Sequence, residues 1–189
     1  MFRHFLAGFL LALSSPPSQA TIGIAIREVH FENNADYAKV FITLRNGTGG
    51  SSRSSTVVDI DALIYQNISS GLQLRMDLAA REAGSDHQYL TLLESTVDVC
   101  ARDSSDDLLV SMMMDGMNQY RNLTIECPFE TGNYAVRNFH IDTNNTLIRL
   151  APPGEYRVGI DVKHQAENRS VLVPVFGIEF YANIFVVDH

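Results

Sequence analysis

Apolar and polar residues alternate along much of this chain. In Leu72-Gln73-Leu74-Arg75-Met76-Asp77-Leu78 every apolar side chain falls on one face and every polar one on the other, as a half-buried β-strand requires. Tyr156-Arg157-Val158-Gly159-Ile160-Asp161-Val162-Lys163 does the same. The run Ile178–Val186 alternates less cleanly, because Tyr181 and Phe185 stand on its otherwise polar face, and it fits a strand covered on both sides. Further strands are expected at Ile22–Phe31, Tyr37–Arg45, Val57–Gln66, Tyr89–Val99, Tyr134–Ile141 and Val171–Phe176. Breaks rich in Gly, Ser, Asn and Pro separate them: Asn46–Ser52, Ser69-Ser70-Gly71, Glu130–Asn133 and Pro152-Pro153-Gly154. About nine short strands with such breaks point to an all-β sandwich or barrel and away from an α/β fold.

One segment departs from that period. Ser104-Ser105-Asp106-Asp107 has the composition of a helix N-cap followed by carboxylates on the first turn, and Leu109, Met112, Met113 and Tyr120 follow at helical spacing. Gly116 weakens the pattern. The cluster Met112-Met113-Met114 with Met117 reads first as the apolar face of this helix. Met114 cannot share that face with Met113, so part of the cluster is free to bear on a ligand, for which flexible thioethers are well suited.

Composition adds that the chain can build its own core. With 189 residues, 46% of them hydrophobic, it needs neither a metal nor a dense disulfide framework to fold. Its 14 Lys and Arg against 22 Asp and Glu give a formal charge of −8, which repels nucleic acid and argues against it as a partner.

The N-terminus reads as a signal peptide. Arg3 and His4 precede the apolar stretch Phe5–Leu13, and Ser18-Gln19-Ala20 supplies a small-x-small cleavage site. Residues 1–20 are therefore expected to be removed and 21–189 to form one domain. A membrane anchor would need about 20 apolar residues, and Pro16-Pro17 ends this run too soon. No later stretch is long and apolar enough to span. Five N-x-[ST] sequons, at Asn46, Asn67, Asn122, Asn144 and Asn168, fit a secreted, extracellular glycoprotein. In that oxidising setting Cys100 and Cys127 are expected to bond to each other, worth about 3–4 kcal/mol in the chain-entropy model. A free thiol pair and a metal site are the alternatives, although two cysteines without a nearby His pair fall short of the four ligands zinc takes.

Catalytic signatures are absent. The sequence has no GxSxG, HExxH, GxGxxG, Walker or EF-hand pattern, and its histidines are scattered singly. Asp59 and Asp61, two apart on a strand, share a face and form a carboxylate pair able in principle to do acid–base work or hold calcium. A solvated strand face is by far the commoner explanation of such a pair. No cofactor and no enzyme activity are expected.

The region from residue 97 onward carries a resemblance. Val97-Asp98-Val99-Cys100, Leu108-Leu109, Asn122-Leu123-Thr124-Ile125-Glu126-Cys127-Pro128-Phe129, Gly132-Asn133-Tyr134 and Pro153-Gly154-Glu155-Tyr156 resemble a large insect-specific secreted family of unknown function. That family includes relatives of the CheB chemosensory proteins and is grouped with the ML lipid-recognition superfamily. The resemblance implies an immunoglobulin-like β-sandwich of about 7–9 antiparallel strands, with one short helix between the cysteines. It also implies a Cys100–Cys127 disulfide and a lipid-like ligand held between the sheets. Many ML-type proteins carry further cysteines that this chain lacks.

The residues expected to line such a cavity are Leu72, Leu74, Met76, Leu78, Met113, Val158, Ile160, Val162, Phe180 and Ile184, all of which would equally build a dry core. The function expected is carriage or presentation of a hydrophobic small molecule or lipid, in chemosensation, with a cell-surface receptor as a second partner. The alternative is an extracellular protein–protein interaction module with a solid core.

Overall fold

Where side chains alternate, the backbone pairs. The computed structural model describes residues 21–46, 56–82, 88–101, 107, 111, 127–141, 143, 146–165 and 171–187. Among them lie eight strands: β1 (Thr21–Asn33), β2 (Ala38–Asn46), β3 (Thr56–Ile64), β4 (Leu72–Arg81), β5 (Tyr89–Asp98), β6 (Gly132–Phe139), β7 (Gly154–Gln165) and β8 (Leu172–Val187). They form two antiparallel sheets, a five-stranded one in the order β1-β8-β7-β4-β5 and a three-stranded one in the order β2-β3-β6. The fold is thus an all-β, immunoglobulin-like sandwich.

The register places the alternating stripes on one face. Leu74 lies opposite Val162, Met76 opposite Ile160 and Leu78 opposite Val158. Leu72, Leu74, Met76, Val162 and Val175 of the wide sheet meet Ala38 and Ile64 of the narrow sheet, with Ile68, in one buried cluster. Three features pin the sheets together at their rims. The Asn33 side-chain amide accepts from the Val40 N–H at 2.8 Å and donates to the Val40 carbonyl at 3.2 Å, standing in for a strand partner where β1 crosses to β2. The Thr56 hydroxyl accepts from the Ile26 N–H at 3.0 Å, tying β3 to β1. The Cys100–Cys127 disulfide, whose Cα atoms lie 5.4 Å apart, ties the end of β5 to the segment leading into β6, where Ile68 and Phe129 form an isolated antiparallel bridge.

The outer face of the wide sheet is a lattice of charged pairs. Arg75 bonds Glu94 at 3.0 Å, Arg81 pairs with Glu155, and Arg157 donates to Asp77 at 2.8 Å. Asp77 is 8% exposed because Gly159, directly opposite it on β7, has no side chain to occupy the space its carboxylate fills. That hydrogen bond holds the Arg157 guanidinium protonated beyond its ordinary range. Tyr181 and Phe185, the apolar intruders on this face, are accommodated in kind. The Tyr181 ring meets those of His30 and Tyr89 at 5.4 and 5.7 Å, and Phe185 lies over Gly23. β8 is therefore covered on both sides.

Two expectations are corrected. The separate strands at Val171–Phe176 and Ile178–Val186 are one 16-residue strand, β8, which Gly177 continues opposite Asp161. A helix of five residues, α1 (Thr146–Leu150), appears where none was expected, too short for apolar periodicity to register. The helix expected after Ser104 lies outside the described residues except at Asp107 and Ser111, where the Ser111 N–H donates to the Asp107 carbonyl at 2.8 Å with helical i, i+4 spacing. Met113 and the leader 1–20 also lie outside them.

Gly159→Ala is expected to destabilise the protein by about 1–3 kcal/mol, because a Cβ there overlaps the Asp77 carboxylate and forces it away from Arg157. Urea midpoints of the two proteins check this, and an unchanged midpoint would show that the carboxylate has another place to go.

Candidate functional site

The facing sheets do not fill the space between them. A cavity of about 210 Å³ remains. The wide sheet lines it with Leu72 and Leu74 of β4, Ile160 and Val162 of β7, and Val175, Phe176 and Ile178 of β8. The narrow sheet contributes Val40 of β2, Ile60, Ala62 and Ile64 of β3, and Tyr134, Ala135 and Val136 of β6, while Ile68, Val99 and Phe129 complete the wall. β3 contributes to the space by offering only a methyl group at Ala62, between the larger Ile60 and Ile64.

The wall is chemically uniform, presenting almost no polar surface. Tyr134 keeps its ring at the cavity and spends its hydroxyl elsewhere, donating to the Glu130 carbonyl at 3.0 Å. An apolar cavity of about 150 Å³ stays dry and admits benzene. In proportion, this one holds a chain or ring of roughly eight heavy atoms.

The residues named from sequence divide. Leu72, Leu74, Ile160 and Val162 are on the wall. Met76 packs in the same core cluster, behind it. Leu78, Val158 and Phe180 lie further along the same sheet, paired in consecutive register. Ile184 lines a second hollow with Ile22, Arg149, Ala151, Pro153, Phe185 and Val186. The contribution of the narrow sheet was not anticipated, although Val58, Ile60, Ala62 and Ile64 alternate with Asp59 and Asp61 as plainly as any stripe in the chain.

Asp59 and Asp61 do share a face, and each is taken by an arginine. Asp59 accepts from Arg45 at 2.7 and 2.9 Å and from the Asn138 N–H at 2.8 Å, and Asp61 pairs with Arg137. Asn138 occupies the left-handed region at φ 57, where β6 carries an extra residue against β3, and the Asp59 carboxylate fills that irregularity. The Arg45 and Asn138 bonds hold the Asp59 carboxyl below its ordinary value of 3.8. Asn67 is exposed and outside any strand, with its side-chain oxygen accepting from the Thr131 N–H at 2.7 Å. Asn46 ends β2, and the sequons at Asn122, Asn144 and Asn168 lie outside the described residues.

What fold and site define together is a β-sandwich with an apolar interior cavity. Among the described residues, no group of three or more His, Cys, Asp or Glu side chains could hold a metal, and no helix is long and apolar enough to cross a membrane. Residues 74–158 match a protein family of unknown function, DUF1091. The match runs from β4 into β7 and takes in both cysteines and the wall residues Leu74, Val99, Phe129, Tyr134, Ala135, Val136 and none of β8. No curated protein matches the chain.

Two outcomes follow. Ala62→Leu is expected to fill part of the cavity and raise stability by about 1–2 kcal/mol, at roughly 0.8 kcal/mol per buried methylene less ordering; guanidinium denaturation measures it, and destabilisation would mean the space is not free. Asp59 contributes stability that is fully present above its unfolded value near 3.8 and is lost as pH falls through the lower folded value. Asp59→Asn should therefore be less stable than the parent at neutral pH, with the gap closing in acid. A gap independent of pH would show that the carboxylate charge does not matter.

Proposed function

We propose that this protein is a secreted, glycosylated, non-enzymatic carrier or presenter of a small hydrophobic molecule, acting in chemosensation with a cell-surface receptor as its second partner. The observation that carries the reading is the apolar cavity between the sheets. A space of about 210 Å³ walled by apolar side chains is packing that the fold forgoes. Ordinary cores close such holes with larger side chains, and Leu at position 62 would be a first step toward that here. A ligand that fills the space recovers that packing only when bound. The signal-like leader, the sequons and the disulfide support the extracellular setting. The resemblance of residues 97–156 to CheB-related and ML-type proteins supports the ligand class.

The alternative, an interaction module, has one observation in its favour. β5 is the outer strand of the wide sheet, and its Leu90 and Leu92 are 65% and 49% exposed. A single experiment separates the two. Native mass spectrometry of the protein secreted from insect cells and deglycosylated should show a stoichiometric adduct that organic extraction removes, and that Ala62→Leu lacks. A bare mass, unchanged after incubation with a mixed panel of lipids and hydrocarbons, would overturn the carrier and favour the interaction module.

A further inference from the structure

The second hollow, of about 290 Å³, lies toward the end of β8. Ile178 lines the interior cavity and Ile184 the hollow, and from 178 to 184 the strand advances roughly 20 Å. The two spaces share no lining residue among those described. Ile22 of β1 stands opposite Val186 of β8 on one side of the hollow, and Ala151 and Pro153, between α1 and β7, complete the wall. The turn carrying these two is held in place. The Ala151 N–H donates to the Ile148 carbonyl at 3.2 Å, and the hydroxyl of the buried Tyr156 donates to the Pro152 carbonyl at 2.7 Å. Leu150 is 74% and Val186 46% exposed, so apolar surface continues from the hollow out to solvent.

The guanidinium of Arg149, on α1, brings the one charged side chain among the described residues of this wall. Other arginines of the described chain are taken. Arg45, Arg75, Arg81, Arg137 and Arg157 each pair with a carboxylate, and Arg27 bonds the Asn183 side chain. Arg149 has no hydrogen-bond or ion-pair partner among the described residues, although the chain carries 22 acidic side chains against 14 basic ones. It therefore presents a planar fork of donors beside an apolar hollow. The chemical complement of that pair is a molecule with a carboxylate at one end and an apolar body at the other.

We infer that this hollow is a second binding site, taking a small monocarboxylate whose apolar body lies against Ile22, Ile184 and Pro153 and whose carboxylate is gripped by Arg149. The site goes beyond the carrier reading and does not depend on it, since the wall of the interior cavity carries no charged side chain among the described residues. A cavity of about 150 Å³ admits benzene, so a body of several more carbons suits this one.

Octanoate, octan-1-ol and octylammonium, alike in chain length and differing in the charge at one end, are the probes. Each is titrated into the isotope-labelled full chain at neutral pH and about 0.15 M salt, where the repulsion of anions by the acidic surface is largely screened. The methyl resonances of Ile22, Ala151 and Ile184 report the end hollow, and those of Ala62 and Ile160 report the interior cavity in the same spectra. Octanoate should move the first set saturably and bind more tightly than octan-1-ol, while octylammonium leaves that set unmoved. Arg149→Gln should weaken octanoate about tenfold, as loss of a hydrogen-bonded charge pair implies, and leave octan-1-ol within about twofold. Arg149→Lys, which keeps the charge and loses the fork, should fall between. Arg149 is exposed, so neither substitution disturbs the core. Octanoate affinity unchanged by Arg149→Gln, or equal losses for octanoate and octan-1-ol, would overturn the site. Shifts confined to Ala62 and Ile160 would overturn it while supporting the carrier reading, and silence at Ile22, Ala151 and Ile184 with every probe overturns it whatever the interior methyls do.

Discussion

The separation of the two sheets is the constraint from which the other features follow. Sheets whose side chains interdigitate sit about 10 Å apart. Here the sheets are tied at their rims by the Asn33 clamp on Val40, the Thr56 link to Ile26 and the Cys100–Cys127 disulfide. With the rims pinned, the middle cannot collapse onto a small side chain. Ala62 therefore leaves space that neighbouring residues do not move in to fill, and the cavity becomes a property of the frame as much as of the wall.

The frame depends in turn on a stiff wide sheet. Its outer face could have been left to water, as antiparallel sheets commonly are. Instead Arg75, Asp77, Arg81 and Arg157 interlock with Glu94, Glu155 and one another, and the aromatic rings of His30, Tyr181 and Tyr89 run across the same surface. Exposed ion pairs contribute little singly. Asp77 differs, because it is buried against Gly159, and its pairing with Arg157 decides whether that burial is tolerated. These contacts run across β4, β7 and β8, the strands that supply one side of the cavity.

The sequence made the sandwich readable through β4 and β7, where alternation is strict and the register only has to align two stripes already present. It made four wall residues readable for the same reason. It did not separate Leu74 from Leu78, because both obey the same period and only the position of the narrow sheet over the wide one distinguishes them. It did not reveal Ala62, since a search for ligand contacts looks for large apolar side chains and a cavity is made by a missing one. Asp59 and Asp61 drew attention as a pair, and the information lay in the residues between and around them, whose opposite face is wall. The chain break assumed before Ile178 failed for a similar reason: Gly177 reads as punctuation in a sequence, whereas opposite Asp161 it is a place for a carboxylate.

Packing left unmade around an apolar hollow of about 210 Å³ matters in a domain whose total stability is only about 5–15 kcal/mol. Other contacts must offset it. The Cys100–Cys127 bond, closing a loop with a sequence separation of 27, contributes about 3–4 kcal/mol by restricting the unfolded chain. Cys100 itself packs on the core cluster beside Val99, which lines the cavity. The cross-link therefore sits where the packing deficit is, and its stabilisation comes from the unfolded ensemble without occupying any of the space. A larger core side chain would supply comparable stability only by occupying that space, whereas the disulfide leaves it unchanged.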